Sequence, residues 1–241
     1  MQKTFKTISI VIPVYNEENY ITDVLQKIIS SDTLGLKKEI IIVDDHSTDK
    51  TIQQIKSFMQ KNKYPMKLIQ KKVNEGKGSS VKMGFMETKG DIVIIQDADL
   101  EYNPADYPVL LEPFIMKEAD AVFGSRFITN KPHRVLYFWH YTANTFLTLM
   151  SNIMTNLNVS DMETGYKAFR GEVIRTIAPR LKSKRFGFEP EITARLAKIK
   201  NIKIYEVGIS YQGRSYEEGK KIDWKDGFRA IGEIIYFNLF S

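Results

Sequence analysis

The stretch Ile92-Val93-Ile94-Ile95-Gln96-Asp97-Ala98-Asp99-Leu100-Glu101 joins an apolar run to three carboxylates at alternate positions. The run Ile92–Gln96 predicts a buried strand. In an extended chain, side chains two residues apart point to the same side, so the three carboxylates are expected to meet at the strand end. Close acidic groups repel one another unless a cation lies between them, and oxygen ligands suit Mg²⁺ or Mn²⁺. The stretch therefore predicts a metal site, with an acidic turn after a core strand as the alternative.

Strands and helices alternate along the first half of the chain. Further apolar runs predict strands at Ile8–Ile12, Glu39–Val43, Met66–Gln70 and Ala121–Phe123. This alternation predicts an α/β fold with a mostly parallel sheet flanked by helices. Ligands of such sheets bind at the carboxyl ends of the strands. We expect one shared site for the polar motifs that follow strands, which are Asp44-Asp45, Asp97 to Glu101 and Ser125-Arg126.

The first two helices have recognisable start signals. Pro13 is expected to end the first strand, and Asn16 to cap a helix from about Glu17 to Ile29. Asp49 or Ser47 is expected to cap the second helix.

The second half carries two helical stretches that are rich in apolar residues. Val135–Asn156 is expected to form a helix whose aromatic face either packs in the core, which we favour, or faces lipid. The C-terminal stretch predicts an amphipathic helix that either lies on a membrane interface or packs on the domain. The apolar residues near one face of that helix are Trp224, Phe228, Ile231, Ile235 and Leu239.

Composition restricts the possible chemistry. The chain has 241 residues, no cysteine and a formal net charge of +6. Without cysteine there is no disulfide, cysteine–zinc site or thiol nucleophile, and a cytoplasmic location is expected. The positive charge favours an anionic partner. No P-loop, dinucleotide fingerprint or nucleophile elbow is present, and the basic–aromatic interleaving of a nucleic-acid binder is not evident, so no nucleic-acid partner is expected.

Five motifs in a fixed order carry a resemblance to a known family. They are Val11-Ile12-Pro13-Val14-Tyr15-Asn16-Glu17, Val43-Asp44-Asp45-His46-Ser47-Thr48-Asp49, Asn74-Glu75-Gly76-Lys77-Gly78, Gln96-Asp97-Ala98-Asp99-Leu100-Glu101 and Gly124-Ser125-Arg126. Together they resemble family 2 glycosyltransferases, and they are most similar to the dolichyl- or polyprenyl-phosphate sugar synthases. The likeness continues through Asp161 to Arg170 and Phe186 to Glu191, so it covers nearly the whole chain.

The resemblance implies a GT-A fold and a metal-dependent, inverting transfer of a sugar from a nucleotide donor. Residues 1–222 would form the catalytic domain, with a nucleotide-binding half to about 126 and an acceptor half over 127–222, and residues 223–241 the C-terminal amphipathic helix. The implied donor-binding residues are Pro13, Tyr15, Glu17, Asp44, Asp45, Lys77 and Asp97. The implied ligands of Mg²⁺ or Mn²⁺ are Asp99 and Glu101, with Asp97 close to both the ion and the donor.

His46 departs from the glycine that is usual in its motif. If this position takes a positive φ, histidine is tolerated better there than a β-branched residue.

The acceptor decides which further residues take part. A hydroxyl acceptor needs a carboxylate base, for which Asp161 and Glu163 are the candidates. A lipid phosphate is already anionic and needs cations to position it, and arginine suits bidentate phosphate contacts. The candidate cations are Arg126, Arg134, Arg214, Lys220 and Lys221. The expected catalytic residues are Asp97, Asp99, Asp161 and Arg126.

These expectations combine into one function with two alternatives. We expect a metal-dependent inverting glycosyltransferase that moves a hexose from UDP-glucose or GDP-mannose to a polyprenyl or dolichyl phosphate. Peripheral contact with the cytoplasmic membrane face would accompany a lipid acceptor. The alternatives are transfer to a saccharide hydroxyl in cell-surface polysaccharide synthesis and a non-catalytic nucleotide-sugar binding protein.

Overall fold

The computed structural model describes residues 5–128, 135, 137–185, 187–213 and 224–240. Within these residues, seven strands form one sheet. The strands are β1 (Thr7–Val14), β2 (Lys37–Asp44), β3 (Met66–Gln70), β4 (Ile92–Ile95), β5 (Ala121–Ser125), β6 (Lys167–Arg170) and β7 (Ile204–Gly208). The α-helices are α1 (Ile21–Ser30), α2 (Thr51–Asn62), α3 (Lys77–Glu87), α4 (Tyr107–Lys117), α5 (Phe138–Thr155), α6 (Gly171–Ile177), α7 (Phe188–Ala197) and α8 (Trp224–Leu239).

The sheet has the order β3-β2-β1-β4-β6-β5-β7 and is mostly parallel, as predicted. Only β6 runs against its two neighbours, β4 and β5. Because β4 and β5 are both antiparallel to β6, they point the same way. β1 pairs with β4 and with β2, in parallel with both, so β1 and β2 point the same way as β4. The carboxyl ends of β1, β2, β4 and β5 therefore lie at one edge of the sheet.

The core lies on both faces of the sheet because successive side chains of a strand point to opposite faces. On β1, Ile10 and Ile12 pack in one apolar cluster together with residues of α1, α2 and α4. Val11, between them, packs in a second cluster with residues of α3, α6, α7 and α8. All three are fully buried. The arrangement is a three-layer α/β structure.

The first loop differs from the sequence prediction. Pro13 does not end β1 but lies inside it, beyond the last residue that pairs with β4, Val11, so one side of the strand has no partner strand there. Asn16 does not cap a helix, since it has a φ of 51° and α1 begins only at Ile21. Its side-chain oxygen instead accepts a hydrogen bond from the Thr48 amide at 2.8 Å, which joins the loops after β1 and β2.

The start of α2 differs from the prediction, because its N-cap residue is Lys50, whose side chain makes no capping hydrogen bond. The Asp49 carboxylate accepts a hydrogen bond from the Thr51 amide at 3.0 Å, which satisfies one of the free N–H groups at the helix start. The Ser47 hydroxyl is used elsewhere, since it accepts a hydrogen bond from the Asn16 amide.

The prediction that the aromatic face of α5 packs in the core is wrong for most of the apolar side chains of this helix. Within α5 the buried residues are Leu147, Thr148 and Ser151. The large apolar side chains that α5 exposes include Phe138, Trp139, Tyr141, Phe146, Leu149 and Ile153. The helix carries more apolar residues than the contact with its neighbours α7 and α8 can cover.

The C-terminal helix packs on the domain through a narrow face. Ala230, Ile234 and Phe237 are buried, whereas Ile235 and Leu239 are exposed. Ile231 is partly buried against the second core cluster. The side chains of Trp224 and Phe228, which the sequence analysis placed near the same face, lie outside the described side chains.

Candidate active site

The acidic stretch after β4 forms a turn and not an extension of the strand. β4 ends at Ile95, and Leu100 has a φ of 61°. The Asp99 carboxylate accepts a hydrogen bond from the Glu101 amide at 3.1 Å, which is typical of a turn. The prediction that the three carboxylates meet on one side of an extended chain is therefore wrong, because the alternation of side chains is lost where the backbone turns.

The three carboxylates have different partners. Asp97 accepts a hydrogen bond from the Lys77 ammonium at 3.0 Å. Glu101 accepts a hydrogen bond from the Tyr211 hydroxyl at 2.8 Å. Across the described ranges, no three acidic or imidazole side chains are grouped so that they could hold a metal ion by themselves.

The donor set of this turn still fits a hard divalent cation that is shared with a ligand. Asp97, Asp99 and Glu101 offer only carboxylate oxygens, the ligand type that Mg²⁺ prefers. Proteins commonly hold Mg²⁺ through one or two carboxylates and complete its shell with substrate phosphates and water. The turn therefore suits an ion that binds together with a phosphate-bearing ligand, and not a cage built by the protein alone.

The pair Asp44-Asp45 holds together the loops beside the acidic turn. Asp44, the last residue of β2, accepts a hydrogen bond from the Ser47 amide at 3.2 Å. Asp45 forms an ion pair with Lys71 at 2.5 Å and accepts a hydrogen bond from the Gly76 amide at 2.6 Å. Both carboxylates are buried. Asp45 thereby fixes the turn that begins α3 against the end of β2, and Asp44 orders the loop that follows β2.

The remaining donor-side residues of the sequence analysis lie on the same loops. His46 has a φ of 67°, so the position does take the positive φ at which histidine is tolerated in place of the usual glycine. Tyr15 is exposed, whereas Glu17 is buried with its amide hydrogen-bonded to the Thr51 hydroxyl at 2.9 Å. Lys71, a buried partner of Asp45, was missed because the two residues are far apart in sequence.

Lys77 connects the acidic turn to α7. Its ammonium lies 3.0 Å from Asp97 and 3.2 Å from Glu189. Burial disfavours the charge, but the two carboxylates outweigh burial and raise the pKa of Lys77 well above its ordinary value. Gly165 permits the contact, since a Cβ atom there would lie 2.5 Å from Asp97 Oδ2 and 2.9 Å from Lys77 Nζ. A permanently charged ammonium therefore stands at this edge of the sheet.

Arg126 is held rigidly after β5. Its Nε and Nη2 atoms each donate to the Asp161 carboxylate at 2.7 Å, and its amide donates to the same group at 3.1 Å. Asp161 is fully buried, and its own amide donates to Glu206. The guanidinium carbon also lies 5.2 Å from the centre of the Tyr211 ring, which bonds Glu101. The structure thus brings Arg126 and the acidic turn into one site, as predicted.

A second buried lysine organises the segment that follows Asp161. Lys167 Nζ donates to the carbonyl oxygens of Met162, at 2.8 Å, and Thr164. It also lies 4.7 Å from the centre of the Phe123 ring. Burial lowers the pKa of Lys167, and burial together with the charge of Glu189 raises the pKa of Glu163. Lys167 and Glu189 lie within the two stretches that carry the family likeness, Asp161 to Arg170 and Phe186 to Glu191, but no local pattern gave either residue a role.

The other basic residues that were predicted to bind the acceptor phosphate cannot be placed. Arg134, Arg214, Lys220 and Lys221 lie outside the described residues.

Comparison with known proteins places this arrangement in a family. Residues 9–178 match the sequence profile of Glycosyl transferase family 2. The dolichol-phosphate mannosyltransferase of Pyrococcus furiosus is 31% identical over 221 residues, which cover 89% of this chain and 60% of that protein. The undecaprenyl-phosphate mannosyltransferase of Micrococcus luteus is 28% identical over 217 residues, or 87% of this chain and 85% of that protein.

A solved structure shares the fold. The chain resembles glucosyl-3-phosphoglycerate synthase from Mycobacterium tuberculosis, crystallised with Mn²⁺, uridine diphosphate and phosphoglyceric acid, with a TM-score of 0.73 at 20% identity. The likeness covers 98% of this chain and 80% of that chain and confirms the expected GT-A fold. The profile match spans more than half of the sequence, and the chain belongs to glycosyl transferase family 2.

Proposed function

We propose that the chain transfers a hexose, with inversion, from a nucleotide sugar of the UDP-glucose or GDP-mannose class to a polyprenyl or dolichyl phosphate. The names of two relatives, a dolichol-phosphate mannosyltransferase and an undecaprenyl-phosphate mannosyltransferase, support a lipid phosphate acceptor. The observation that carries the proposal is the position of Arg126, a guanidinium fixed by two bonds to Asp161 beside the acidic turn. A fixed cation opposite a donor-binding turn suits an anionic acceptor.

The donor would occupy the loops after β1, β2 and β4. Pro13, Tyr15, Glu17, Asp44 and Asp45 would line the nucleotide pocket, and Lys77 would lie beside the diphosphate together with Asp97. Asp44 and Asp45 act here chiefly by fixing the loops, because their carboxylates are buried and bonded to protein groups. The ammonium of Lys77 offers a positive charge to the phosphates without any change in protonation, since its pKa is raised.

A divalent cation would be held by Asp99 and Glu101, with Asp97 at its side. When bound, Mg²⁺ or Mn²⁺ would stabilise the negative charge that develops on the departing nucleoside diphosphate. Lys77 keeps Asp97 oriented toward this turn, and Tyr211 does the same for Glu101.

The acceptor phosphate would be positioned by Arg126, with Arg134, Arg214, Lys220 and Lys221 as further candidates. Asp161 is fully buried in its pair with Arg126, so its proposed role is to orient the guanidinium and not to remove a proton. A phosphate oxygen is already anionic, and it can attack the sugar without a strong base. In this proposal the donor-binding loops come before about residue 126 and the acceptor-binding groups come from there onward, which corresponds to the two proposed halves of the domain.

A lipid acceptor requires contact with a membrane, and the exposed aromatic residues of α5 are suited to it. No helix in the described parts of the chain is both long and apolar enough to cross a bilayer. Within α5, Trp139 is 77% exposed and Phe138 is 68% exposed. Aromatic side chains on an uncharged helix face favour the interface between lipid and water. We propose peripheral contact with the cytoplasmic membrane face through α5 and the exposed face of α8.

One observation favours a second candidate function, transfer to a saccharide hydroxyl. The raised pKa of Glu163 would suit a general base, which only a hydroxyl acceptor requires.

The proposal is tested by a donor screen that measures nucleoside diphosphate release by the full chain. Each donor is assayed with Mg²⁺ or Mn²⁺ and with undecaprenyl phosphate, dolichyl phosphate or neither. We expect release that depends on a lipid phosphate. Release that depends instead on an added saccharide supports the second candidate, and binding of nucleotide sugars without release under any condition supports a binding protein.

A further inference from the structure

A buried glutamine lies directly before the acidic turn. Gln96 follows the last residue of β4 and is fully buried. Its amide donates to the Val11 carbonyl oxygen of β1 at 2.9 Å, so its backbone stays attached to the sheet. A buried carboxamide destabilises a protein unless its polar atoms are hydrogen-bonded. The partners of this side chain therefore indicate what it does.

The carboxamide nitrogen of Gln96 joins the two ends of the turn. Nε2 donates to the carbonyl oxygen of Asp97 at 3.1 Å and to the carbonyl oxygen of Tyr102 at 3.2 Å. The acids Asp99 and Glu101 lie between these two residues in the chain. Because one buried group holds both carbonyl oxygens, the backbone that carries the two acids forms a loop with fixed ends.

The carboxamide oxygen anchors the same group in the core. Oε1 accepts hydrogen bonds from the Tyr107 hydroxyl at 3.0 Å and from the Tyr166 hydroxyl at 3.2 Å. Both tyrosines are fully buried, and burial raises the pKa of each hydroxyl, so both keep their protons and can donate. Tyr107 begins α4 and Tyr166 directly precedes β6. The turn is therefore attached to two further segments of the fold.

These partners require a carboxamide at position 96. Carbonyl oxygens can only accept hydrogen bonds, so the atom that faces Asp97 and Tyr102 must carry two N–H donors. The atom that faces the tyrosine hydroxyls must accept. An ionised glutamate would satisfy the hydroxyls but not the carbonyl oxygens, and an apolar side chain would satisfy neither. The side chain at position 96 thus determines whether the ends of the turn are held.

The two side-chain contacts described above act differently on the turn. Lys77 bonds the carboxylate of Asp97, and Tyr211 bonds the carboxylate of Glu101. Each of them orients one acid, whereas Gln96 holds the backbone on both sides of the acids. Groups that bind an ion together must be held within about 0.5 Å of their productive positions. Fixing the backbone between Asp97 and Tyr102 meets this requirement.

We propose that Gln96 is a positioning residue for the divalent cation, because it holds the turn in the shape in which Asp99 and Glu101 would bind one ion. This assignment rests on the proposed function and adds a residue that touches neither the ion nor the substrate. The turn is then formed before the ion and the nucleotide bind.

The test measures Mn²⁺ binding by titration calorimetry to the full chain saturated with UDP or GDP, whichever the wild-type chain binds more tightly. Methionine has a length similar to that of glutamine but no N–H donor. In Gln96→Met, Mn²⁺ is expected to bind about 10–100-fold more weakly, the usual effect of losing a group that supports metal ligands. The affinity for the nucleoside diphosphate without metal is expected to stay within about 2-fold.

Tyr107→Phe is the matched control, because it removes a hydrogen bond of the same carboxamide on the side away from the turn. It should lower the midpoint of urea unfolding, as Gln96→Met should, but leave the Mn²⁺ affinity within about 2-fold of the wild-type value. A purely structural role for Gln96 would instead lower stability in both variants and leave both cation affinities unchanged.

Hydrogen exchange on the metal-free wild-type chain provides a second measurement if Gln96→Met does not fold. The Glu101 amide donates to the Asp99 carboxylate within the turn. We expect the backbone amides of residues 97–102 to exchange at least about 10-fold more slowly than those of an unstructured chain, without ion or nucleotide. Exchange at the unstructured rate would overturn the inference, because the turn would then depend on its ligands.

The possible outcomes separate this inference from the function on which it rests. If Gln96→Met binds Mn²⁺ as tightly as the wild-type chain, or if Tyr107→Phe loses as much affinity, the inference is wrong and the proposed function stands. If the wild-type chain binds UDP or GDP but no Mn²⁺, the inference fails together with the metal assignment. If the wild-type chain binds neither nucleotide, the proposed function itself fails.

Discussion

Replacing Asp161 by asparagine should destabilise the protein strongly, because it leaves the charge of Arg126 without its partner. The two side chains are 0% and 10% exposed, and Asp161 accepts three hydrogen bonds from Arg126. Removing one member of a buried ion pair costs about 3–5 kcal/mol, out of a total stability of roughly 5–15 kcal/mol for a typical domain. With a urea m-value of about 2–3 kcal/mol/M, the unfolding midpoint should fall by roughly 1–2 M.

Urea denaturation followed by circular dichroism measures this change. The double variant Arg126→Met with Asp161→Asn should recover most of the loss, since it also removes the uncompensated charge. Glu118→Gln is the control, because the pair of Glu118 with Lys203 is exposed and its loss should leave the midpoint unchanged within error. If the free energy of unfolding of Asp161→Asn lies within about 1 kcal/mol of that of the wild-type chain, the reasoning that Asp161 holds Arg126 is refuted.

Three further predictions follow from the site and its surroundings. Asp99→Ala should lower nucleoside diphosphate release by roughly 100-fold with or without added Mn²⁺, and unchanged turnover would contradict the metal assignment. The double variant Phe138→Ser with Trp139→Ser, on α5, should reduce co-sedimentation with liposomes. The control Met116→Ser, which changes an exposed apolar side chain on α4, should not reduce it. Equal binding by the wild-type chain and both variants would argue against membrane contact through α5. Gly78→Ala should destabilise the protein by about 1–3 kcal/mol, because its Cβ atom would lie 2.6 Å from the Ser183 carbonyl oxygen. Gly232→Ala on α8, which meets nothing within 4 Å, should be neutral or stabilising in the same urea titration, and equal losses would show that packing is not the cause.

The sequence predicts the features of this fold that depend on local pattern. Runs of β-branched residues predict the strands, and their regular alternation with helices predicts a parallel sheet. From these two facts it follows that Asp45, Asp97 and Arg126 lie at one edge, as observed.

What the sequence does not predict are contacts between distant segments. The pairing of Arg126 with Asp161 and of Lys71 with Asp45 depends on tertiary packing, for which no local pattern exists. The turn after β4 was only the alternative to an extended strand end, because three alternating acids are compatible with both conformations. The exposed aromatic face of α5 was misassigned for a similar reason, since helical periodicity shows that a face is apolar and not what covers it.

The central claim is that the site joins a hexose to a lipid phosphate. The most direct test is to incubate the full chain with its preferred nucleotide sugar and divalent cation and to identify the lipid product by mass spectrometry. Polyprenyl phosphate and the corresponding polyprenol, which differ only in the phosphate, serve as alternative acceptors. We predict a hexosyl polyprenyl phosphate from the first and no glycosylated lipid from the second. Equal glycosylation of polyprenol, or a product formed only on an added saccharide, would contradict the account.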